Sequence, residues 1–289
     1  MNTLAIDIGG TKLSMALFED DRMILRHSQA TKRSGGHIWM IQEISSIANG
    51  WRKDSEFDCC GVGFGGPVNY ALQQVTTSNV VTDWQRFPLA SILHSELGVP
   101  TVIDNDANLG ALGEATYGAG AGCDPLFYMT LSTGIGGGFM VGGKVIRGAD
   151  SFAGEIGHIT VRPGGPRCTC GADGCLERMC SGIWLEADHG TSAKDLLMDQ
   201  EFVQRYVVDL AIGLKSAILL LNPARIVIGG GVSKASDALF VPLRKELRRQ
   251  ITSWAQARVE VVPCALGDDS VLYGALALAR SSFHSEHTA

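Results

Sequence analysis

A glycine-rich turn between two apolar runs is the feature that most constrains how this chain can fold. The run LFYMTL (126–131) leads through the glycine segment, LSTGIGGG (131–138), into FMV (139–141). Glycine has no Cβ, so backbone N–H groups in such a turn can approach a ligand closely. A row of these N–H groups forms a nest for anionic oxygens. Taken alone, the pattern also fits an ordinary glycine-containing β-hairpin.

The same pattern occurs a second time, at the start of the sequence. The run LAIDI (4–8) leads through GGTK (9–12) into LSMALF (13–18), and only this copy carries an acidic residue, Asp7. Two strand–glycine–strand units far apart in the sequence predict two related half-folds. We expect their hairpins to grip the phosphates of one nucleotide from opposite sides.

The composition is ordinary for a soluble globular protein, with 45% hydrophobic and 19% charged residues in a chain of 289. A net charge of −6 without a dense basic patch argues against a nucleic-acid-binding protein. No apolar stretch reaches the roughly 18–20 residues that span a bilayer. Because a strand containing Asp7 already occupies the first residues, we expect no secretory signal and a cytoplasmic location.

The hydrophobic periodicity predicts an α/β chain in two lobes. Strands are predicted over 1–18 (a hairpin), 23–27, 58–64, 101–104, 126–131, 225–228 and 259–262, and helices over 38–51, 87–97, 107–117, 200–221, 239–251 and 273–280. The glycines of 118–122 predict a hinge. We therefore expect a small lobe over 1–118, completed by a C-terminal helix over 273–289, and a large lobe over 119–272. No fixed-period repeat is visible, so the lobes are expected to share a topology only loosely.

Asp7 lies in a strand that is otherwise apolar, where a carboxylate is costly unless it is compensated. We expect it to lie beside magnesium at the nucleotide phosphates, with Thr11 and Lys12 nearby. The alternative is an aspartate that caps the following turn. The Gly-Gly-Thr that follows directly favours the phosphate site.

Asn105 and Asp106 follow a short predicted strand and open a predicted helix. Both residue types are good helix caps, and this interpretation stays open. The functional interpretation is that the Asp106 carboxylate accepts a proton from a substrate hydroxyl, for which it must lie within about 3 Å of that group.

Cys168, Cys170 and Cys175, with His158 ten residues before the first of them, have the spacing of a metal site. Three thiolates and one imidazole complete a tetrahedral zinc site with no position left for a reactive water, which predicts a structural zinc. Glu155, His158 and Glu177 flank this loop and could form a rigid polar wall for a polyol. The remaining cysteines are interpreted as core residues: Cys59, Cys60, Cys123, Cys180 and Cys264.

Other glycine motifs carry less information. Residues 61–66 (GVGFGG) match a dinucleotide fingerprint, but Pro67 follows at once and no helix opens there. Residues 137–144 lack the Ser or Thr that must follow the lysine of a Walker A loop. Residues 229–231 follow a strand and could open a helix whose N-terminus receives part of a nucleotide, or form a simple turn.

Taken together, these motifs resemble the ROK family of repressors and kinases, most closely its zinc-containing bacterial glucokinases, over nearly the whole chain. The matching segments are 7–12 (DIGGTK), 105–108 (NDAN), 131–138 (LSTGIGGG), 154–158 (GEIGH), 168–177 (CTCGADGCLE) and 228–232 (IGGGV). The resemblance implies an actin-like ATPase fold, related to ribonuclease H, in which two lobes of mixed sheets and flanking helices enclose a cleft.

The resemblance also implies a role for each matching residue. Asp106 is the catalytic base, and Asp7 lies in the outer sphere of magnesium. Zinc is bound by His158, Cys168, Cys170 and Cys175. Sugar contacts fall to Gly65, Gly66, Asn79, Asn105, Asp106, Glu155, His158 and Glu177. Nucleotide contacts fall to Asp7, Gly9, Gly10, Thr11, Lys12, Thr133, Gly134, Gly230 and Gly231.

These observations predict an ATP-dependent hexose kinase that phosphorylates the 6-hydroxyl of glucose with ATP, Mg²⁺ and a structural Zn²⁺. The resemblance implies a homodimer or homotetramer with no membrane or nucleic-acid partner. Kinases of N-acetylmannosamine, mannose, fructose or allose remain alternatives, and polyphosphate remains an alternative donor. A sugar-sensing ROK regulator is disfavoured, because the strand at Thr3 leaves no room for a preceding DNA-binding helix-turn-helix.

Overall fold

The computed structural model describes residues 1–77, 83–251 and 259–283, which divide into two compact units. Unit 1 comprises Met1–Thr116, Arg147–Phe152 and the C-terminal part from Asp269. Unit 2 comprises Tyr117–Ile146 and Ala153–Asp268. The prediction assigned all of 119–272 to the second lobe, whereas the segment 147–152 packs with unit 1.

The helices and strands follow the predicted order. In chain order they are β1 (Asn2–Ile8), β2 (Lys12–Glu19), β3 (Arg22–Ala30), α1 (Gly36–Trp51), β4 (Cys59–Phe64), β5 (Val68–Asn69), β6 (Gln74–Val75), α2 (Leu89–Leu97), β7 (Thr101–Asn105), α3 (Asp106–Tyr117), β8 (Leu126–Leu131), β9 (Ile135–Val141), β10 (Lys144–Val145), α4 (Leu176–Cys180), α5 (Gly182–His189), α6 (Ala193–Leu196), α7 (Gln200–Leu221), β11 (Arg225–Gly229), α8 (Asp237–Gln250), β12 (Glu260–Pro263) and α9 (Ser270–Phe283). Residues 118–122 form turns directly after the boundary between the units.

The main sheet of unit 1 has the order β3-β2-β1-β4-β7, in which β1, β4 and β7 are parallel and the hairpin strands are antiparallel. The main sheet of unit 2 has the order β10-β9-β8-β11-β12, with β8, β11 and β12 parallel. The two sheets therefore have the same strand order and the same strand directions. The expectation of a loosely shared topology was wrong, because strand order can repeat without any repeat in the sequence.

Each unit has its own apolar core. In unit 1 the side chains of the parallel strands pack against α1 and α2, and in unit 2 they pack against α7 and α8. The parallel strand β4 is buried along its whole length, which explains why its sequence is a continuous run without polar alternation. Helix α7 begins where Asp199 accepts hydrogen bonds from the N–H groups of Glu201 and Phe202, and it ends at the left-handed Asn222.

Helix α9 packs so closely against α3 and β4 that the backbones are in direct contact. A Cβ at Gly274 would lie 1.9 Å from the Leu109 carbonyl oxygen, and one at Gly61 would lie 2.1 Å from that of Ala275. The buried Glu114 carboxylate accepts a hydrogen bond from Ser270 Oγ (2.7 Å) at the same contact. Helix α9 therefore packs directly against α3, the helix that begins with Asp106.

This contact predicts that Gly274→Ala lowers the free energy of unfolding by about 1–3 kcal/mol, because the added methyl group overlaps backbone that cannot move away cheaply. Gly50→Ala is the matched control, since Gly50 also lies in a helix and its Cβ would meet nothing within 4 Å. That change should raise stability by up to about 1 kcal/mol. Denaturant unfolding of both variants makes the comparison, and equal stabilities would contradict the close α3–α9 contact.

Candidate active site and metal centre

The candidate site residues of unit 1 lie at the carboxyl edge of its parallel strands. Strands β1, β4 and β7 end level with one another. The residues that follow them therefore meet: a Cβ at Gly65 would lie 3.4 Å from Gly9 Cα and 3.5 Å from Asp106 Oδ2. The edge thus brings two glycine turns and the Asp106 carboxylate together.

Asn105 and Asp106 lie at the start of α3, where the sequence left helix capping and proton transfer open. Asn105 Oδ1 accepts hydrogen bonds from the N–H groups of Ala107 (2.9 Å) and Asn108 (3.2 Å), so Asn105 caps α3. Its Nδ2 donates to the Gly66 carbonyl (3.0 Å). Asp106 Oδ1 accepts from the Ala107 N–H (2.8 Å), whereas Oδ2 is the oxygen beside the β4 turn. Helix capping therefore does not exclude a role for Asp106 in proton transfer.

In the turn at residues 9–12, the carbonyl groups of the first three residues accept hydrogen bonds from Thr31 and Arg33. Thr31 Oγ1 donates to the Gly9 carbonyl (2.8 Å), the Thr31 N–H to that of Thr11 (3.0 Å), and Arg33 Nε to that of Gly10 (3.0 Å). The C=O and N–H of a trans peptide point in opposite directions. The N–H groups of Gly10 and Thr11 therefore point away from these donors, as a phosphate nest requires. Sequence patterns missed Thr31 and Arg33 because neither belongs to a motif.

Asp7 lies near the end of β1 and is only partly buried, although most of this strand is fully buried. Its neighbours in register are Ser14 on β2 and Gly63 on β4. Both are small, and a Cβ at Gly63 would lie 2.4 Å from Val271 Cγ1, so this side chain occupies the space over Gly63. Lys12 begins β2 and is also partly buried.

In unit 2, the predicted nucleotide contacts Thr133 and Gly134 lie in the turn between β8 and β9. The Gly182 N–H donates to the Ser132 carbonyl (2.7 Å), and the Ile183 N–H donates to that of Thr133 (3.2 Å). By the same peptide geometry, the N–H groups of Thr133 and Gly134 point away from α5. This turn therefore repeats the arrangement of the first hairpin, in the equivalent place of the second sheet.

Gly230 lies against this turn. Its φ is 90°, and a Cβ there would lie 2.5 Å from the Leu131 carbonyl oxygen, so both the conformation and the space require glycine. The segment leads into a short 3-10 turn, Val232–Ala235, rather than directly into an α-helix. The predicted helix N-terminus is therefore absent here. A cavity of about 190 Å³ opens beside it, lined by Gly230, Ser233, Lys234, Ser236, Pro263, Cys264 and Gly267.

His158, Cys168, Cys170 and Cys175 converge in unit 2, with one ligand atom of each within 4.8 Å of the others. Cys170 Sγ lies 3.5 Å from Cys175 Sγ, and Cys168 Sγ lies 4.0 Å from His158 Nδ1. Tetrahedral zinc with its usual bond lengths places such atoms roughly 3.6–3.8 Å apart. The donor set and its dimensions therefore fit zinc.

Two left-handed glycines shape the cysteine loop. Gly171 has φ of 95° and Gly174 has φ of 66°, conformations that ordinary residues adopt only with strain. A Cβ at Gly174 would also lie 1.7 Å from the Arg162 carbonyl oxygen. These turns present the three sulfur atoms from one short loop.

The electrostatics of the cluster favour a bound cation. Burial, together with the neighbouring thiols of Cys170 and Cys168, raises the pKa of the Cys175 thiol to about 12. Several thiolates so close together are unfavourable unless positive charge compensates them. A divalent metal supplies that charge and deprotonates the coordinating thiols.

The two ring nitrogens of His158 face different groups. Nδ1 faces Cys168 Sγ, and Nε2 lies 4.0 Å from Glu155 Oε2. Burial raises the pKa of the Glu155 carboxyl, and the Glu177 carboxylate adds to this effect while His158 opposes it. A metal on Nδ1 would thus fix the ring that faces Glu155.

Glu177 connects the cysteine loop with the second glycine turn. Its Oε2 accepts a hydrogen bond from the Ile135 N–H (2.9 Å), and a Cβ at Gly134 would lie 2.8 Å from the same oxygen. Glu177 follows Cys175 by two residues, at the start of α4. The sequence predicted a sugar contact for Glu177 and missed this backbone contact, because no motif records which N–H a carboxylate accepts.

The structure distributes the predicted site residues over the two units. Unit 1 holds Asp7, Gly9, Gly10, Thr11, Lys12, Gly65, Gly66, Asn105 and Asp106, and unit 2 holds Thr133, Gly134, Glu155, His158, Cys168, Cys170, Cys175, Glu177, Gly230 and Gly231. Asn79 lies outside the described residues.

The other cysteines only partly follow the prediction. Cys59, Cys60 and Cys180 are buried core residues, whereas Cys123 and Cys264 are partly exposed. In the part of the chain that the structure describes, no helix is both long and apolar enough to cross a bilayer.

The cysteine loop predicts one zinc ion per chain in protein purified without added metal. Cys170→Ser removes one ligand and should lower the zinc affinity by roughly 10²-fold or more, because even outer-shell changes cost 10–100-fold. Cys123→Ser is the control, a partly exposed thiol of the same unit outside the loop. Elemental analysis and thermal unfolding with and without chelator provide the measurement. Metal-free protein with an unchanged unfolding midpoint would contradict a structural zinc.

The Glu177 contact predicts faster amide hydrogen exchange at Ile135 in Glu177→Ala, by roughly 10-fold or more, since a hydrogen bond to a charged group is lost. Glu177→Gln keeps an acceptor oxygen and should show a smaller increase. Site-resolved exchange of wild type and both variants gives the comparison. Identical Ile135 exchange in all three proteins would show that this hydrogen bond does not hold the turn.

Comparison with known proteins agrees with this geometry. The model of the ROK family matches residues 3–282. A glucokinase of Halalkalibacterium halodurans is 33% identical over 94% of this chain and 92% of its own length.

Two solved structures are similar throughout. A ROK hexokinase of Thermus thermophilus superposes with a TM-score of 0.85 at 30% identity, over 99% of this chain and all of that one. A ROK family glucokinase of Streptomyces griseus, in complex with glucose and AMPPNP, gives a TM-score of 0.85 at 28% identity, over 97% of this chain and all of that one. The two mixed sheets with their flanking helices are thus the actin-like ATPase fold. This chain belongs to the ROK family, and among its members it is similar to sugar kinases.

Proposed function

We propose that this protein is an ATP-dependent hexose kinase that transfers the γ-phosphate of ATP to the 6-hydroxyl of glucose. The observation that carries the proposal is the strand-end edge of unit 1, where Gly9, Gly65 and the Asp106 carboxylate meet. A phosphate-binding turn beside a carboxylate is what phosphoryl transfer to an alcohol requires. The similarity to glucokinases supports glucose as the acceptor.

In the proposed reaction, Asp106 acts as the general base. Its carboxylate accepts the proton of the sugar hydroxyl as the hydroxyl oxygen bonds to the γ-phosphorus. The bond between that phosphorus and the bridging oxygen breaks, and ADP leaves with the electron pair. We assign this step to Asp106 Oδ2, because a Cβ at Gly65 in the turn after β4 would lie 3.5 Å from that oxygen.

The glycine turns are proposed to stabilise the charge on the phosphates. The N–H groups of Gly10 and Thr11 in unit 1, and of Thr133 and Gly134 in unit 2, are fixed donors that need no reorganisation during transfer. Lys12 adds positive charge near the first turn, and Gly230-Gly231 with the cavity beside it would receive the adenosine. Magnesium would be bound mainly by phosphate oxygens and water, with Asp7 in its outer sphere, and would neutralise phosphate charge.

The sugar contacts that we propose follow the family resemblance. Asn105, oriented by the Gly66 carbonyl, and the glycines at 65–66 would contact it from unit 1, and Asn79 is assigned to the same group by the family resemblance. Glu155, His158 and Glu177 would contact it from unit 2. A zinc ion bound by the cysteine loop would hold the His158 ring in place and supply no reactive water.

A coupled ADP-release assay with a panel of sugars tests the proposal. Glucose should give the highest kcat/KM among glucose, mannose, fructose, allose and N-acetylmannosamine. Asp106→Asn should lower kcat by roughly 10² or more and leave glucose binding largely intact, because the base is removed without removing the side chain. Asp54→Asn, a change at an exposed position in unit 1, is the control and should leave kcat unchanged.

Each contradictory result overturns a different part of the proposal. Near-normal turnover in Asp106→Asn would refute the base assignment. A better acceptor than glucose would refute the substrate and leave the kinase intact, and turnover with polyphosphate but not ATP would refute the donor. Sugar binding without phosphorylation, together with a gel shift of upstream DNA, would indicate a regulator.

A further inference from the structure

A buried ion pair lies immediately before the candidate base. The Asp104 side chain, at the end of β7, is 1% exposed. Its Oδ2 accepts hydrogen bonds from Arg147 Nε (2.8 Å) and from an Nη atom of the same guanidinium group (2.7 Å). An uncompensated carboxylate at such a position would be strongly unfavourable, so Asp104 depends on Arg147.

The other oxygen of Asp104 holds the segment that carries the base. Asp104 Oδ1 accepts hydrogen bonds from the Asn105 N–H (2.8 Å) and from Asn108 Nδ2 (3.0 Å). These two residues lie on either side of Asp106 in the sequence. One carboxylate therefore fixes the backbone before Asp106 and the first helical turn after it.

Arg147 is itself held in a fixed orientation. Its guanidinium group lies over the Tyr70 ring, 3.5 Å from the ring centroid. The Tyr70 N–H in turn donates to Ser151 Oγ (3.3 Å), within the same 147–152 segment. These contacts explain why this segment packs with unit 1 although the chain on both sides of it belongs to unit 2.

We infer that Asp104 and Arg147 are positioning residues for the proposed base, Asp106. Arg147 fixes Asp104, and Asp104 fixes Asn105 and Asn108, so the ion pair sets where the Asp106 carboxylate stands. This inference rests on the proposed kinase function. A structural ion pair elsewhere would affect stability alone, whereas this one acts on the geometry of proton acceptance, where a displacement of about 1 Å can cost 10²-fold in rate.

Two substitutions of Arg147 distinguish the effect of its positive charge from the effect of its planar hydrogen-bonding and stacking geometry. Arg147→Met removes the partner of the buried carboxylate. Arg147→Lys keeps a positive charge but cannot supply the planar pair of donors or the same stacking on Tyr70. Arg26→Met is the matched control, because Arg26 also donates two bonds to one carboxylate, that of Asp269, in unit 1 and outside the candidate site.

The measurement is kcat per molecule competent to bind sugar, with the competent fraction taken from glucose titration, together with KM for ATP. We expect Arg147→Met to lower this kcat by 10-fold or more, with KM for ATP changed less than twofold, and Arg147→Lys to give an intermediate kcat. Arg26→Met should match the wild type. A positioning role predicts this separation of kcat from KM, whereas lost stability alone reduces only the competent fraction.

A kcat within twofold of the wild type in Arg147→Met would overturn the inference. If Arg147→Met does not fold, Arg147→Lys provides the test, and a kcat within twofold of the wild type in that variant would overturn it equally. Failure of the proposed function is distinguishable, because the wild-type protein would then phosphorylate no sugar of the panel.

Discussion

The level ending of parallel strands is the constraint on which the candidate site depends. In unit 1 the register of β1, β4 and β7 brings three separate turns to one edge of the sheet, and each turn contributes a different chemical group. The backbone hydrogen bonds between these strands hold the register. The strand pairing alone therefore places the three turns close together. A slip of one strand by a single residue would move its turn out of the site and reverse its side chains.

Unit 2 has the same sheet topology and the same glycine turn, but different side chains support that turn. Its sheet has the same strand order, and its β8–β9 turn presents N–H groups where the β1–β2 turn does so in unit 1. The two copies differ in what supports them. Thr31 and Arg33 hold the first turn, whereas the start of α5 and the Glu177 carboxylate hold the second. The same backbone arrangement is therefore supported by unrelated side chains in the two units.

The elements and the cluster of one histidine and three cysteines were predictable from the sequence because their signals are local. Helix α7 shows a strong apolar periodicity between an Asp cap and an Asn-Pro stop, and the spacing of Cys168, Cys170 and Cys175 is typical of zinc ligands. The partners that act across long sequence distances were not predictable. The contacts of Asp104 with Arg147, and of Glu177 with Ile135, join residues more than forty positions apart, and no periodicity records them. The repeated glycine hairpins predicted two related half-folds, but not that the two sheets have the same strand order throughout.

The segment 147–152 has a consequence for dissecting the protein. Because it belongs to unit 1 but lies within the chain of unit 2, the polypeptide passes between the units at four points rather than at two. A fragment covering 117–268 would therefore carry Arg147 without the carboxylate and the aromatic ring that hold it, and the complementary fragment would leave Asp104 without its cation. Separate expression of the two units would therefore require new contacts in place of those made by residues 147–152.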